Sequence, residues 1–163
     1  MRYALITTDG ELHVKDANWP GIRAEVGPEG PAGVALPPVM PIAAPWFRGW
    51  VNDVGHTRPE VYPRNVIGSL VLIGLGAATW PYAGPVVITG WDPNPYTDGP
   101  ETRGLDDVQA EVIDAIHQDA ADALAGKAGE VFEIARTVAE WVRTCPTPAL
   151  TVSFPAGGRH GTA

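Results

Sequence analysis

Trp46-Phe47-Arg48-Gly49-Trp50-Val51-Asn52-Asp53, then Tyr62-Pro63-Arg64-Asn65 opening Val66-Ile67-Gly68-Ser69-Leu70-Val71-Leu72-Ile73-Gly74-Leu75, then Ala83-Gly84-Pro85-Val86-Val87-Ile88-Thr89-Gly90-Trp91, read as strand, turn, apolar segment and strand in unbroken succession. The first block has the aromatic and β-branched character of a pleated surface, and Asn52-Asp53-Val54-Gly55 supplies turn residues. The apolar run from Val66 to Leu75 is either a buried helix of three turns or a buried strand, because it holds too few polar residues to show a phase. Asn65 as a cap and Gly74 as an exit favour the helix. Pro85 to Thr89 reads as a short buried strand, and Asp92 to Pro100 as a linker.

Upstream, Asp9-Gly10 predicts a two-residue type I′ hairpin, in which Thr7 faces Leu12, Ile6 faces His13 and Leu5 faces Val14. That register gathers Tyr3, Leu5, Thr7, Leu12 and Val14 on one surface, the one expected to be buried. Asn18-Trp19-Pro20 opens a short helix with Trp19, Ile22 and Val26 on one stripe, ended by Gly27. Residues 28–45 are so dense in proline and glycine that no regular element is expected there.

Downstream, Leu105, Val108, Val112, Ile116, Ala120 and Leu124 recur at helical spacing before Gly126. A second amphipathic helix is predicted from about Gly129 to Thr144. Val131, Ile134, Ala135, Val138, Trp141 and Val142 should face inward, and Glu130, Glu133, Arg136, Glu140 and Arg143 outward. The expected architecture is α+β: a small antiparallel β-sheet with a short buried helix, packed against a C-terminal two-helix hairpin. It divides into a β-rich part over 1–92, a linker over 93–104, the hairpin over 105–144 and a partly disordered tail over 146–163.

The 163 residues, 45% hydrophobic, suffice for the core of one domain. Nineteen acids against eleven bases leave a formal charge of -8, which repels phosphate backbones and anionic lipid and makes nucleic acid an unexpected partner. Arg48, Arg58 and Arg64 are the residues such binding would use. Cys145 stands alone, which excludes an internal disulfide or a cysteine zinc cage. No signal-peptide core precedes Asp9, and the longest apolar run, Val66 to Ala78, is thirteen residues against the ~20 of a membrane span. A soluble cytoplasmic protein without membrane attachment is expected.

Few residues suggest chemistry. Gly74-Leu75-Gly76-Ala77-Ala78-Thr79 superficially matches a dinucleotide fingerprint, but Trp80-Pro81 forbids the helix that must follow. Asp53, His56 and Glu60 could form a metal or acid–base cluster, or be ordinary turn formers. The six tryptophans are core residues unless exposed, in which case they mark an interface or groove. Between Asp106 and Gly126 there are six acids and no Lys or Arg, and Asp107, Glu111, Asp114 and Asp122 line one ridge. Residues four apart on a helix rise ~6 Å, close to the phosphate spacing of one nucleic-acid strand, so the ridge could imitate DNA or dock a basic partner. A solvated helix face is the plainer account. No Gly-x-Ser-x-Gly elbow, Walker loop or His-Glu-x-x-His is present.

The Asp-Gly hairpin, Val51-Asn52-Asp53-Val54-Gly55, Tyr62-Pro63-Arg64-Asn65 with its small-residue apolar run, and Gly84-Pro85-Val86-Val87-Ile88-Thr89-Gly90 together resemble a family of small uncharacterised proteins of actinobacteria, their phages and plasmids. In that family the pattern runs Val-Asn-Glu-Glu-Gly, Leu-Pro-x-Asn, Gly-Pro-x-x-Val-Thr-Gly. The resemblance covers about residues 1–92; here Asp53-Val54 replaces the acidic pair and Tyr62-Pro63-Arg64-Asn65 the leucine version. It implies a mobile-element or accessory setting and no catalytic residue; a shared site would fall on Asn52, Asp53 and Asn65.

The functional expectation is a non-enzymatic accessory or interaction protein, with no cofactor or metal, that presents Asp107, Glu111, Asp114 and Asp122 to a basic protein partner. Its helices need a surface, so a homo-oligomer is a further expectation. The alternative is a small-ligand-binding protein or enzyme with a cleft lined by Trp46, Trp50, Asn52, Asp53, His56 and Asn65.

Overall fold

The structure, a computed structural model, describes residues 1–28, 30–36, 46–92 and 101–146. Its elements are β1 (Arg2–Ile6), β2 (Leu12–Asp16), α1 (Trp19–Val26), β3 (Pro31–Ala35), β4 (Trp46–Asn52), a 3-10 turn (Gly55–Thr57), α2 (Val66–Gly74), β5 (Val86–Asp92), β6 (Glu101–Arg103), α3 (Asp107–Leu124) and α4 (Glu130–Thr144). The strands form an antiparallel sheet in the order β2-β1-β5-β4-β3, with β6 paired to the end of β5. The class is α+β, as expected, with α3 and α4 packed together at the C-terminal side.

Both faces of β1 are buried, which explains its run of Tyr3, Ala4, Leu5 and Ile6. On one face Tyr3, Leu5 and Val87 meet Ile22 and Val26 of α1. On the other, Ala4, Ile6, Phe47, Val51, Val86 and Ile88 meet Val71 and Leu72 of α2, joined by Leu105 and Ile113. A smaller cluster of Leu70, Ala120 and Ala139 joins α2, α3 and α4. A Cβ on Gly74 would stand 2.7 Å from Ile116 Cγ2, so α2 and α3 close on each other at a glycine.

The ambiguous run Val66 to Leu75 resolves as helix. Asn65 caps it, its Oδ1 accepting from Gly68 N at 2.7 Å while Nδ2 donates to Ile6 O and Gly84 O. Neighbouring Arg64 donates to Val142 O and Cys145 O, closing the orphan carbonyls at the end of α4. Two consecutive residues thus start one helix and finish another.

Four expectations are corrected. The hairpin register is offset by one residue, with Ile6 opposite Leu12 and Leu5 opposite His13. Gly10 N donates to Thr7 O at 2.9 Å and Gly10 alone in the turn has positive φ, 92°, the pattern of a type I turn followed by a left-handed glycine. Asp9 keeps a negative φ, so the type I′ turn is not formed. The offset exchanges the faces of β2: Val14 comes to the side of Ala4, stays half-exposed, and is not buried with Tyr3 and Leu5.

Second, residues 31–35 form β3 within the proline- and glycine-dense segment, because Pro31 is the first residue of an edge strand, where a missing N–H is tolerated, and Val34 packs on the core. Third, residues 101–103 of the expected linker pair with β5 as β6. Residues 37–45, 93–100 and the tail beyond 146 lie outside the described residues.

Fourth, the helical stripes are only half inward. On α4, Ala139 and Val142 are buried, but Val131 is 67% and Ile134 60% exposed, and Trp141 also faces out. The small Ala139 lets α4 seat closely on Leu70 and Ala120, and the apolar arc is wider than those neighbours cover. On α3, Val108 is exposed because buried Gln109 sets the phase of the first turn.

Candidate functional site

α3 begins with a capping box: Asp106 Oδ1 accepts from Gln109 N at 2.7 Å, and Gln109 Oε1 accepts from Asp106 N at 3.0 Å. Leu105 N donates to Arg2 O at 2.9 Å, which fixes this start beside β1. Further along, the Nε2 of His117 lies 2.8 Å from Gly10 O. The helix is therefore held at its start and its middle, and its acidic ridge has a set orientation.

Asp107, Glu111 and Asp114 are exposed on that ridge. Asp107 pairs with Arg2, whereas Glu111 and Asp114 make no ion pair among the described residues. Asp122, at the far end, is held by Lys127 and by Gln118 at 3.1 Å, contacts that keep its carboxyl below the ordinary range. The structure therefore splits the predicted row into two free carboxylates and two engaged ones. Arg2, Val14, Asp107, Ala110, Glu111 and Asp114 line a shallow hollow of about 370 Å³ between α3 and β2, an edge strand with an exposed outer side.

A different surface lies behind it. Leu70, Ile73, Ile116, Val131, Ile134 and Val138 line an apolar groove of about 280 Å³ where α2, α3 and α4 meet, with Asp119 on its rim. The exposed side chains of α4 continue it. Neither the hollow at Val14 nor this groove was foreseen, because both depend on which side of an amphipathic element finds a neighbour.

The residues of the alternative cleft have different tasks. Trp50 donates from Nε1 to Thr89 Oγ1 at 2.9 Å and meets Trp19 edge-on at 4.8 Å between centroids. Asn52 is buried, donating to Val26 O and accepting from Val54 N, each at 3.0 Å. Asn65 is enclosed at the cap of α2. Trp46 opens β4, and its side chain lies outside the described ones. Asp53 is exposed in the turn after β4.

His56 Nε2 accepts from Trp80 Nε1 at 2.8 Å, with the two rings edge to face. Burial, and after it the charge of Arg64, hold the His56 pKa below its ordinary value. Glu60 turns to Arg58 and not to His56. Among the described residues no group of three or more His, Cys, Asp or Glu is gathered so as to hold a metal ion.

Across the sheet, Tyr3 Oη donates to Glu25 Oε1 at 2.9 Å, and Lys15 Nζ reaches the same oxygen at 2.9 Å. Burial and the adjoining carboxylate push the Tyr3 phenol up to about 12. Burial alone would raise the Glu25 carboxyl, but the bonds from Lys15 and Tyr3 outweigh it and hold the group low.

No described helix is long and apolar enough to cross a membrane. Comparison with protein-family models, with curated proteins and with solved structures finds no match to this chain.

Proposed function

We propose that the protein is a non-enzymatic interaction module that captures a basic partner on the ridge of α3. The carrying observation is that Glu111 and Asp114 stand exposed and without an ion pair among the described residues, beside the apolar Val14 and the open side of edge strand β2. Carboxylates, an apolar contact and a strand edge suit an extended segment rich in Lys and Arg, with main-chain pairing supplying affinity and the acids supplying selection. The resemblance over residues 1–92 gives this reading a setting, an accessory role in actinobacteria or their mobile elements.

The test is calorimetric titration of the whole chain with a Lys- and Arg-rich peptide, compared with Glu111→Lys/Asp114→Lys/Asp122→Lys. Binding that weakens with salt and vanishes in the triple variant is expected. Equal binding by the variant refutes the ridge.

A second reading of the same class concerns α4. Val131, Ile134, Val138 and Trp141 follow a three-four-three spacing, the seam of an antiparallel helix pair, and the first two are largely exposed. Two copies related by a two-fold axis would set Val131 on Trp141 and Ile134 on Val138. Sedimentation should show a dimer that Ile134→Glu dissociates; a monomer at every concentration removes this reading.

A further inference from the structure

Main-chain contacts at both ends of the first hairpin fix which groups of β2 point outward. Met1 N donates to Ala17 O at 2.8 Å, Ala17 N returns a bond to Met1 O at 3.1 Å, and Thr7 N donates to Glu11 O at 3.0 Å. Bonded and non-bonded pairs alternate along an antiparallel ladder, so between these ends Tyr3 with Lys15 and Leu5 with His13 exchange bonds. Leu12, Val14 and Asp16 turn their N–H and C=O groups away from β1, toward the side where the sheet ends. Among the described residues nothing bonds to those outward groups.

The same residues carry their side chains on the face of Arg2, Ala4 and Ile6, where α3 packs. At one end of β2, His117 reaches Gly10 O at 2.8 Å; at the other, Leu105 N bonds at 2.9 Å to the carbonyl of Arg2, which stands opposite Asp16. α3 thus runs antiparallel to β2 along its side. About 15 Å of helix between Asp107 and His117 flanks about 13 Å of strand between Leu12 and Asp16. The hollow of about 370 Å³ at Val14 lies between them, so the room beside the open edge leads directly to Glu111 and Asp114. The opposite face of the edge carries His13 and Lys15. Its two faces therefore differ in sign.

Resting on the reading of α3 as the capture surface, we propose that the partner segment adds a strand to β2 and is basic at every second residue, with neutral residues between. Those of its residues that pair with Leu12, Val14 and Asp16 lie on the α3 side whichever way the strand runs, because side chains alternate with a period of two. Neighbours on that side stand about 6.6 Å apart, and Glu111 and Asp114 are separated by about 4.5 Å along the helix; long Lys and Arg side chains absorb the difference. Their stems cover Val14 and their heads meet the carboxylates. The intervening residues face His13 and Lys15, where a further cation is repelled. A second copy is the poorer occupant. Pairing β2 with itself about a two-fold axis normal to the sheet would bring both acidic ridges to one side, facing each other.

The test is calorimetric titration of the full chain with two peptides of one composition, Thr-Lys-Thr-Lys-Thr-Lys-Thr and Thr-Thr-Lys-Lys-Lys-Thr-Thr. The alternating peptide should bind at least about tenfold more tightly. Equal affinities overturn this proposal, yet leave the ridge as capture surface if Glu111→Lys/Asp114→Lys/Asp122→Lys abolishes both; binding of neither peptide overturns the two together. Val14→Pro deletes an outward N–H and leaves the bonds to β1 in place, so it should weaken the alternating peptide by at least about tenfold. Unchanged binding counts against the edge. Should that variant fail to fold, the alternating peptide N-methylated at every Lys, and separately at every Thr, gives a second reading. An antiparallel strand presents its Lys N–H groups to β2 and a parallel one its Thr N–H groups, so at least one methylated peptide must lose binding, and survival of both overturns the proposal. A concentration-dependent dimer that Val14→Pro dissociates gives the edge to a second copy and overturns it as well.

Discussion

His117, in the middle of α3, and Gly10, at the tip of the first hairpin, meet at 2.8 Å through Nε2 and the carbonyl oxygen. A carbonyl only accepts, so this ring nitrogen carries a proton and donates. The contact joins residues 107 apart in sequence and pins the hairpin tip against the helix that bears the acidic ridge.

Removing that pin should loosen the tip without unfolding the protein. His117→Ala is expected to cost about 1 kcal/mol, the net value of one part-buried hydrogen bond. Gly10→Ala should cost more, about 1–3 kcal/mol, because alanine resists a φ of 92° and its Cβ would approach Ile67 Cδ1 to 2.7 Å. Urea unfolding gives both values, and hydrogen exchange at residues 7–11 should rise in each variant. Equal stability of Gly10→Ala and the parent would contradict the described turn.

Asn65 is expected to be the least replaceable polar residue of the fold. Asn65→Ala removes the cap of α2 and strips the carbonyls of Ile6 and Gly84 of a donor, at a cost of about 2–4 kcal/mol. Asn65→Asp keeps the capping oxygen but turns a buried carboxylate oxygen on the carbonyls of Ile6 and Gly84, so it is expected to be destabilising as well despite retaining the cap. A midpoint shift for Asn65→Ala no larger than for a surface substitution sinks this account.

The pair of His56 and Trp80 gives the protein an acid-sensitive contact. His56 accepts at Nε2, which only the neutral ring can do, and its pKa is lowered from 6.5 first by burial and then by Arg64. The unfolded chain takes up this proton at higher pH than the folded one. The contribution is therefore complete above pH 6.5 and is lost as pH falls toward and through the folded value. Denaturant midpoints should decline with acidification through that window, and His56→Gln should flatten the decline. An identical slope in the variant would remove His56 as its source.

Tyr3 acts at the opposite end of the scale. Its phenol is raised from 10.0 to about 12, so the unfolded chain loses this proton first as pH rises. The contribution is full below pH 10 and disappears as pH climbs toward about 12. Tyr3→Phe should abolish that alkaline loss and, near neutrality, lower stability by about 1–2 kcal/mol through the lost bond to Glu25. Alkaline titration followed by tyrosinate absorbance checks the first point, and chemical unfolding the second.

Much of the chain was readable where one residue performs one local task. Asn18 and Asn65 were recognisable caps, and both accept from a backbone N–H three residues on. The strand at 46–52 followed from aromatic and β-branched content, and so did β5 as far as Thr89, although the strand runs on to Asp92, where the linker was expected to begin. What escaped was decided at long range. Asp9-Gly10 permits two turns, and the one formed brings Gly10 O to His117. Pro31 argued against a strand until β3 proved to be an edge. Arg64 looked like a possible phosphate contact, yet it closes the end of α4, 78 residues away from its first acceptor. The stripe on α4 told which residues are apolar, and only the partner helices decide which of them are covered.

The antiparallel pairing of β1 with β5 sets a delay in biosynthesis. Val86 to Ile88 leave the ribosome about 80 residues after Ala4 to Ile6, which at 5–20 residues per second is about 4–16 s. Through that interval the first hairpin carries its most apolar strand along an unpaired edge, with only β2 beside it. The nascent chain should therefore bind chaperones early and release them once β5 emerges, and substitutions that slow elongation between residues 16 and 86 should lower soluble yield without changing the stability of the finished protein.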